Sequence, residues 1–363
     1  MSADVTMERL ASIACSGLDL VTLWREVTPL ITSAVPHFEA PCFFTVDPSS
    51  LLTTSHFQEG LPEIPAEWLA REYARPDFNS MTEVLRSPSG VGTLHDATGG
   101  EPRRAAKYHE EMRPFGCEQE LVFALRTRTG ERWGAIGLYR EHGRPLFTEW
   151  EKSFAAAAGR ILADGARFAL LLGQGTEPDL PAPPGVIVLD TQYDVVSVTP
   201  AAETWLTSLG GSLQVLPAPV LAVAGSASAG MPDAFARVQT DSGRWVMLQG
   251  SRMRPSGQIA LVVGLASASH VAPLLLGAYG LTKREQDVVW QILTGGSTLE
   301  VSRALGIAED TVQQHLGNAF AKTGTRSRGE LINRIFHAHY EPRVRDNEVR
   351  AQTERPLRSG PMH

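Results

Sequence analysis

Between Thr311 and Lys322 the chain sets Thr311, Gln313, Gln314, Gly317, Asn318 and Lys322 on one side of a helix. The apolar Val312, Leu316, Ala319 and Phe320 fall on the other. A glutamine amide donates and accepts side by side, which matches the N6/N7 edge of adenine. Hydroxyls, amides and cations suit phosphate oxygens. An α-helix fits the major groove of B-DNA, so this side reads as a DNA-contacting surface. The competing reading is a solvated helix face.

The surrounding sequence predicts the elements that would hold such a helix. Thr282 and Glu285 have capping-box spacing, and Val288, Val289, Ile292 and Leu293 give the helix after them an apolar face. Gly295-Gly296 ends it. Ser297 and Glu300 repeat the spacing for a second helix, with Val301, Ala304 and Leu305 as its buried side. Gly306-Ile307 makes a tight turn before a third helix starting near Glu309. Gly324 breaks that helix, and Ser327 caps a fourth, whose Leu331, Ile335 and Phe336 cover the core. Two short helices joined by a glycine turn in a four-helix core form a helix-turn-helix.

Residues 281–340 closely resemble the LuxR-type helix-turn-helix family. The matching pieces are Leu281-Thr282-x-Arg284-Glu285, Gly306-Ile307, Thr311-Val312-x-x-His315-Leu316-x-Asn318, Lys322 and Ser327-Arg328. The resemblance implies transcription regulation by a homodimer on a two-fold site in double-stranded DNA. It puts Gln313, Gln314 and Gly317 at base-facing positions and Thr311, His315 and Lys322 near phosphates. Asn318 and Arg326 join the phosphate set. For His315 the alternative is packing between helices, and for Arg328 a local salt bridge. Many relatives carry lysine where this chain has Gln313 and Gly317, so its binding should be weaker and more dependent on hydrogen bonds. Ala308 stands where the family usually has a capping serine, at a cost of about 1 kcal/mol.

Charge supports a local DNA site. The 363 residues carry a net −7, but residues 1–280 hold 21 Lys+Arg against 30 Asp+Glu. Residues 281–340 hold seven against six, and the tail five against four. An acidic front would be repelled by nucleic acid, so contact belongs to the C-terminal part. Cys15, Cys42 and Cys117 are scattered and odd in number, which reads as three buried thiols in a reducing, cytoplasmic compartment, the alternative being a redox sensor or metal site. No run of 18 apolar residues predicts a membrane span, and Met1–Leu20 lacks the pattern of a signal peptide.

The rest of the chain predicts a multidomain α+β protein. A helix over 18–35, strands at 42–46 and 51–57, a helical insertion, paired strands at 119–126 and 133–139 and a closing helix from Phe147 to Leu172 follow one another. This order resembles a GAF domain, with Trp133-Gly134-Ala135-Ile136-Gly137-Leu138-Tyr139 as its most typical strand, and marks 1–172 as a GAF-like sensory domain. The stripe Phe147, Trp150, Phe154, Ala158, Ile161, Leu162 and Phe168 packs on its own sheet or forms a dimer seam. Residues 173–184 read as a proline-rich linker. Strands at 186–190, 195–198, 245–253 and 259–265, with a helix over 200–209, make 185–268 resemble a small PAS-like α/β domain. Residues 269–280 read as a connector and 341–363 as a disordered tail.

No other chemistry is marked. There is no P-loop; His109-Glu110-Glu111-Met112 is not H-E-x-x-H; Gly225 to Gly230 is read as a small-residue loop; and Asp190 lacks the lysine of a phosphoacceptor domain. Phe43, Phe57, Trp68, Phe78, Phe123 and Trp133 are core residues or the lining of a front-domain pocket. The sequence therefore predicts a one-component regulator, not an enzyme, with no cofactor and no membrane partner, whose front domains sense a small-molecule effector. The alternatives are control by a protein partner and a sensor enzyme fused to a DNA-binding module.

Overall fold

Among the described residues, ten strands pair into two five-stranded antiparallel sheets. The computed structural model describes residues 3–59, 65–172 and 183–335. In the front unit α1 (Ala3–Ala14) and α2 (Leu20–Ala34) precede β1 (Cys42–Val46) and β2 (Thr53–Phe57). The helical insertion contains α3 (Ala66–Ala74), α4 (Met81–Arg86), β3 (Val91–Thr93), α5 (Leu94–Ala97), a π-helical turn at Tyr108–Met112 and a 3-10 turn at Arg113–Phe115. Then come β4 (Cys117–Arg126), β5 (Arg132–Glu141) and α6 (Glu149–Leu172). The sheet order is β2-β1-β5-β4-β3.

Side chains of β4 alternate between two cores, as a pleated strand requires. Leu121, Phe123 and Leu125 pack with Trp24 of α2 and Leu162 of α6, whereas Val122 and Ala124 pack with Val84 and Leu85 of α4. Both faces of the sheet are thus covered. Of the closing-helix stripe, Phe154, Ala158 and Leu162 are buried on the sheet, while Trp150 and Phe168 are exposed. Helix α1 was not expected from the sequence. Its buried Thr6, Leu10 and Ala14 recur every four residues, too sparsely to stand out among polar neighbours, and it packs on α6 and α2.

The middle unit is β6 (Gly185–Leu189), β7 (Val195–Val198), α7 (Pro200–Ser208), α8 (Ala218–Ser228), β8 (Phe235–Gln239), β9 (Trp245–Arg252) and β10 (Ile259–Leu265). Its order, β7-β6-β10-β9-β8, repeats that of the front sheet. Ile187, Leu189, Leu261 and Val263 face inward, while Val186 and Val262, paired in register, lie exposed on the opposite face.

Three expectations need correction here. The small-residue stretch read as a loop at Gly225 to Gly230 begins inside α8, which is buried from Pro219 to Ala227. A helix buried all round shows no amphipathic period, so its sequence resembles a loop of small residues. Those residues admit α3 of the front unit: a Cβ at Gly225 would collide with the Ala70 carbonyl oxygen. Second, the connector is largely helix α9 (Ala268–Ala278). Its Val271, Leu274, Leu275 and Ala278 enter the front core, and Ala272 and Leu276 enter the core of the C-terminal unit. Third, Cys15 is exposed, though Cys42 and Cys117 are buried. Strand β8 was also missed; its short FARVQ run interrupts the apolar residues with arginine.

That arginine ties the units together. Arg237 donates from Nε and Nη2 to Asp47 at 2.7 and 2.5 Å and from Nη1 to the His270 carbonyl at 2.8 Å. Asp47 is fully buried and follows β1, so front strand, middle strand and α9 meet on one ion pair. Of the proline-rich linker only residues 183 and 184 lie within the described residues; Phe336, the end of the C-terminal unit and the tail fall outside them.

Candidate nucleic-acid interface

Four helices form the C-terminal unit: α10 (Lys283–Leu293), α11 (Thr298–Leu305), α12 (Glu309–Thr323) and α13 over residues 328–335. Local chemistry sets their ends. Thr282 and Glu285 close a capping box on α10, and Ser297 and Glu300 close another on α11. Gly306 turns the chain between α11 and α12 at φ +65, a left-handed conformation that suits glycine. Ala308 caps α12 without any side-chain hydrogen bond. The Glu330 N–H donates to Ser327 Oγ at 3.1 Å and starts α13.

Val312, Leu316 and Ala319 turn α12 into the core, leaving its opposite side to solvent. Gln313, Gln314, Gly317 and Asn318 are exposed, and nothing lies within 4 Å of where a Gly317 side chain would start. Thr311 and His315 are half-buried at the edges of this face. No described part of the chain covers it. Gln313 spends a donor on Thr298 Oγ1 at 3.2 Å, bracing α12 against the start of α11. Ala304, expected to be buried, is exposed.

The cations divide. Lys322, expected near phosphate, donates to Glu285 at 2.6 Å. Burial opposes ionisation of Glu285, but the bonds from Lys322 and Thr282 outweigh it and hold the carboxyl below its usual range. Arg326 has an exposed side chain, and its backbone N–H bonds Glu330 at 2.7 Å. Arg328 reaches the Gly296 carbonyl and fastens the turn between α10 and α11; among the described residues it forms no salt bridge. The unit also touches the front sheet, where Gln286 donates to Glu131 at 2.9 Å.

A second site lies in the front unit, where a cavity of about 140 Å³ opens between the sheet and its helical insertion. Of the six aromatic residues named from the sequence, Trp68 alone lines it; Phe43, Phe123 and Trp133 are core. Sequence reasoning missed its polar lining, Glu72, Lys107, Glu111 and Glu120. The one available signal was the scarcity of lysine, four in the chain, with Lys107 amid a helical insertion. Burial pushes the Cys42 and Cys117 thiols beside it up to about 12 and about 11. Asp190 accepts the backbone N–H groups of Gln192 and Asp194 at 2.8 and 3.0 Å, the bonding of a turn residue. Among the described residues no group of His, Cys, Asp and Glu is placed to hold a metal, and no helix is long and apolar enough to cross a membrane.

The sequence model of the bacterial regulatory proteins of the LuxR family matches residues 280–335. The transcriptional regulatory protein TdiR of Thauera aromatica is 34% identical over 56 residues, 15% of this chain and 25% of that protein. YhcZ of Bacillus subtilis strain 168, an uncharacterized transcriptional regulatory protein, is 44% identical over 62 residues, 17% of this chain and 28% of its own length. The spore germination protein GerE of the same organism is 36% identical over 52 residues, 14% of this chain but 70% of GerE. The chain thus spans about a quarter of the length of the two regulators and most of GerE. Among solved structures, bacteriophytochrome RpBphP3 from the photosynthetic bacterium R. palustris aligns with 72% of this chain and 62% of its own at 12% identity, with a TM-score of 0.34. That likeness assigns no fold to the front and middle units. By its capped helices at 280–335 and their match to regulators of this kind, the chain belongs to the LuxR family of bacterial regulatory proteins.

Proposed function

We propose that the chain is a one-component transcriptional regulator that reads the major groove of double-stranded DNA as a homodimer and answers to an effector held by its front unit. The observation that carries the reading is the uncovered side of α12, where Gln314, Gly317 and Asn318 stand free above a buried apolar face. Gln314 is the base reader in this scheme, and Gln313 shares that role with its brace on Thr298. Thr311, His315, Asn318 and Arg326 serve the phosphates. Lys322 contributes less than a free lysine would, because Glu285 shares its charge. Helix α9, with one side in the front core and the other in the DNA-binding core, would carry a change in the front unit to α12. The front and middle units are read as GAF-like and PAS-like sensory domains on the order of their elements. The chain is not read as an enzyme.

Gel shifts of the full chain over a salt series test this. Binding should weaken steadily as salt rises, because phosphate contacts release counterions. Gln314→Ala should lose about 1–3 kcal/mol of discrimination between sites while keeping most nonspecific affinity. Salt-independent binding, or an equal loss on every sequence, would remove α12 from the reading role. Light scattering of the purified protein checks the dimer, and a monomer at DNA-binding concentrations would contradict it.

A further inference from the structure

The lining of the front-domain cavity points to one class of ligand; the inference rests on the sensory reading of that unit. Its apolar walls are rich in rings: Phe38, Phe44, Trp68, Phe115 and Tyr139. Trp68 and Phe115 meet edge to face at 5.1 Å between centroids. Its charged lining is unbalanced, with three carboxyl groups and one ammonium. Lys107 is already committed: Nζ donates to Glu120 at 2.9 Å and to the Asn79 carbonyl at 2.9 Å. Asn79 Nδ2 also donates to Glu120, at 2.8 Å. Glu120 is thereby neutralised.

Glu72 and Glu111 are left over. Glu72 accepts the Met81 N–H at 2.5 Å. Neither the Glu111 carboxyl, on the π-helical turn, nor the Tyr139 hydroxyl has a hydrogen-bond partner among the described residues. Arg71 lies nearest from α3, but it bonds Glu110 at 2.6 Å and pairs with Glu67. The remaining ionisable neighbours, Cys42, Tyr73, Cys117 and Tyr139, are held neutral by burial. Two carboxyl groups therefore share an aromatic cavity with no free positive charge.

We propose that this cavity binds a small organic cation, an aromatic or alkyl ammonium, with its charge between Glu72 and Glu111 and its apolar part against Trp68, Phe115 and Tyr139. Rings attract such a cation through their faces, and desolvation strengthens the attraction. An anion would meet two acids and no free positive charge, whereas a cation supplies the counter-charge that lets both acids ionise. An apolar cavity of about 150 Å³ accepts benzene, so this volume suits a single ring. Burial raises Glu72 to about 7 and Glu111 to about 8, the nearby Lys107 pulling the other way. The empty site thus holds protons near neutrality, and an arriving cation drives them out.

Calorimetry on the full chain tests the proposal with benzyltrimethylammonium, 2-phenylethylamine, 2-phenylethanol and phenylacetate. Both cations should bind at least about tenfold tighter than the alcohol, and the acid should not compete. Affinity for the quaternary cation, which has no titrating proton of its own, should rise between pH 6 and pH 8.5 with measurable proton release. Glu111→Gln removes no internal hydrogen bond, so it should fold; it should lose about tenfold in cation affinity and keep its affinity for the alcohol. Equal binding of alcohol and amine, a flat pH profile, or no heat with either cation would overturn the assignment. Cation binding by a chain that shifts no DNA upholds the assignment and sinks the regulator reading. DNA binding without cation binding does the reverse.

Discussion

The front and middle sheets have one strand order and opposite finishes. Helices cover both faces of the front sheet, and one of its layers leaves a cavity with buried charges. The middle sheet is covered on one face, where α8 packs Val220 to Ala227 with almost no exposure, and its other face leaves Val186 and Val262 in solvent. Its own cleft, beside Met231 and Arg252 to Gly257, lies at the end of the β9–β10 hairpin. A shared order of strands therefore says little about what a sheet can hold. Space over the front sheet comes from the long insertion between β2 and β4, whose helix α3 and later helical turn carry Glu72, Lys107 and Glu111 to the cavity. The middle sheet has the buried α8 in the corresponding stretch, and small side chains close it tightly.

Breaking the join between the sheets should have the largest effect. Asp47→Ala leaves Arg237 buried without its carboxylate, and chemical denaturation should show a loss of about 3–5 kcal/mol. An unchanged midpoint would mean that the two sheets do not depend on this pair. Crowding the helix contact comes next. Gly225→Val forces α8 away from Ala70 and should cost about 1–3 kcal/mol, whereas the same change at exposed Gly230 meets no neighbour within 4 Å. Because Gly230 has φ +75, that control carries backbone strain of its own, and the decisive measurement is whether Gly225→Val also loosens α3 in hydrogen exchange.

The difference in buried charge can be read from pH. Glu72 and Glu111 bind protons more tightly folded than unfolded, so their contribution to stability is present below the unfolded value of 4.5 and is lost as pH rises through about 7 to about 8. The melting temperature of the full chain should fall over that window, and Glu72→Gln with Glu111→Gln should flatten the slope. A slope that survives both changes would place its origin elsewhere. The smallest effect belongs to the C-terminal unit, at the start of α12. Ala308→Ser supplies the missing cap of α12 and should add about 1 kcal/mol, seen as slower exchange of the first-turn amides.

Legibility followed the range of the interactions. Capping boxes at Thr282 and Ser297, the turn at Gly306 and the apolar stripe of α12 act within a few residues, so spacing alone reveals them. The exposed side of α12 was visible for the same reason. The partners of Gln313 and Lys322 were not, since Thr298 and Glu285 lie 15 and 37 residues away. Helix α8 was hidden because burial on all sides erases the period that marks a helix, and α9 because it serves two cores with eleven residues.

The amino-acid sequence alone determined the four helices of the C-terminal unit, most of the strands and the family. These depend on hydrogen bonds and apolar repeats between near neighbours along the chain. Tertiary structure decided the rest: which acid Lys107 neutralises, that Glu72 and Glu111 are left facing one cavity, and that Asp47 meets Arg237 across 190 residues. The physical reason is that a charge takes its meaning from its surroundings. Burial and a partner brought from a distant strand set whether a carboxyl group is ionised, paired or waiting for a ligand.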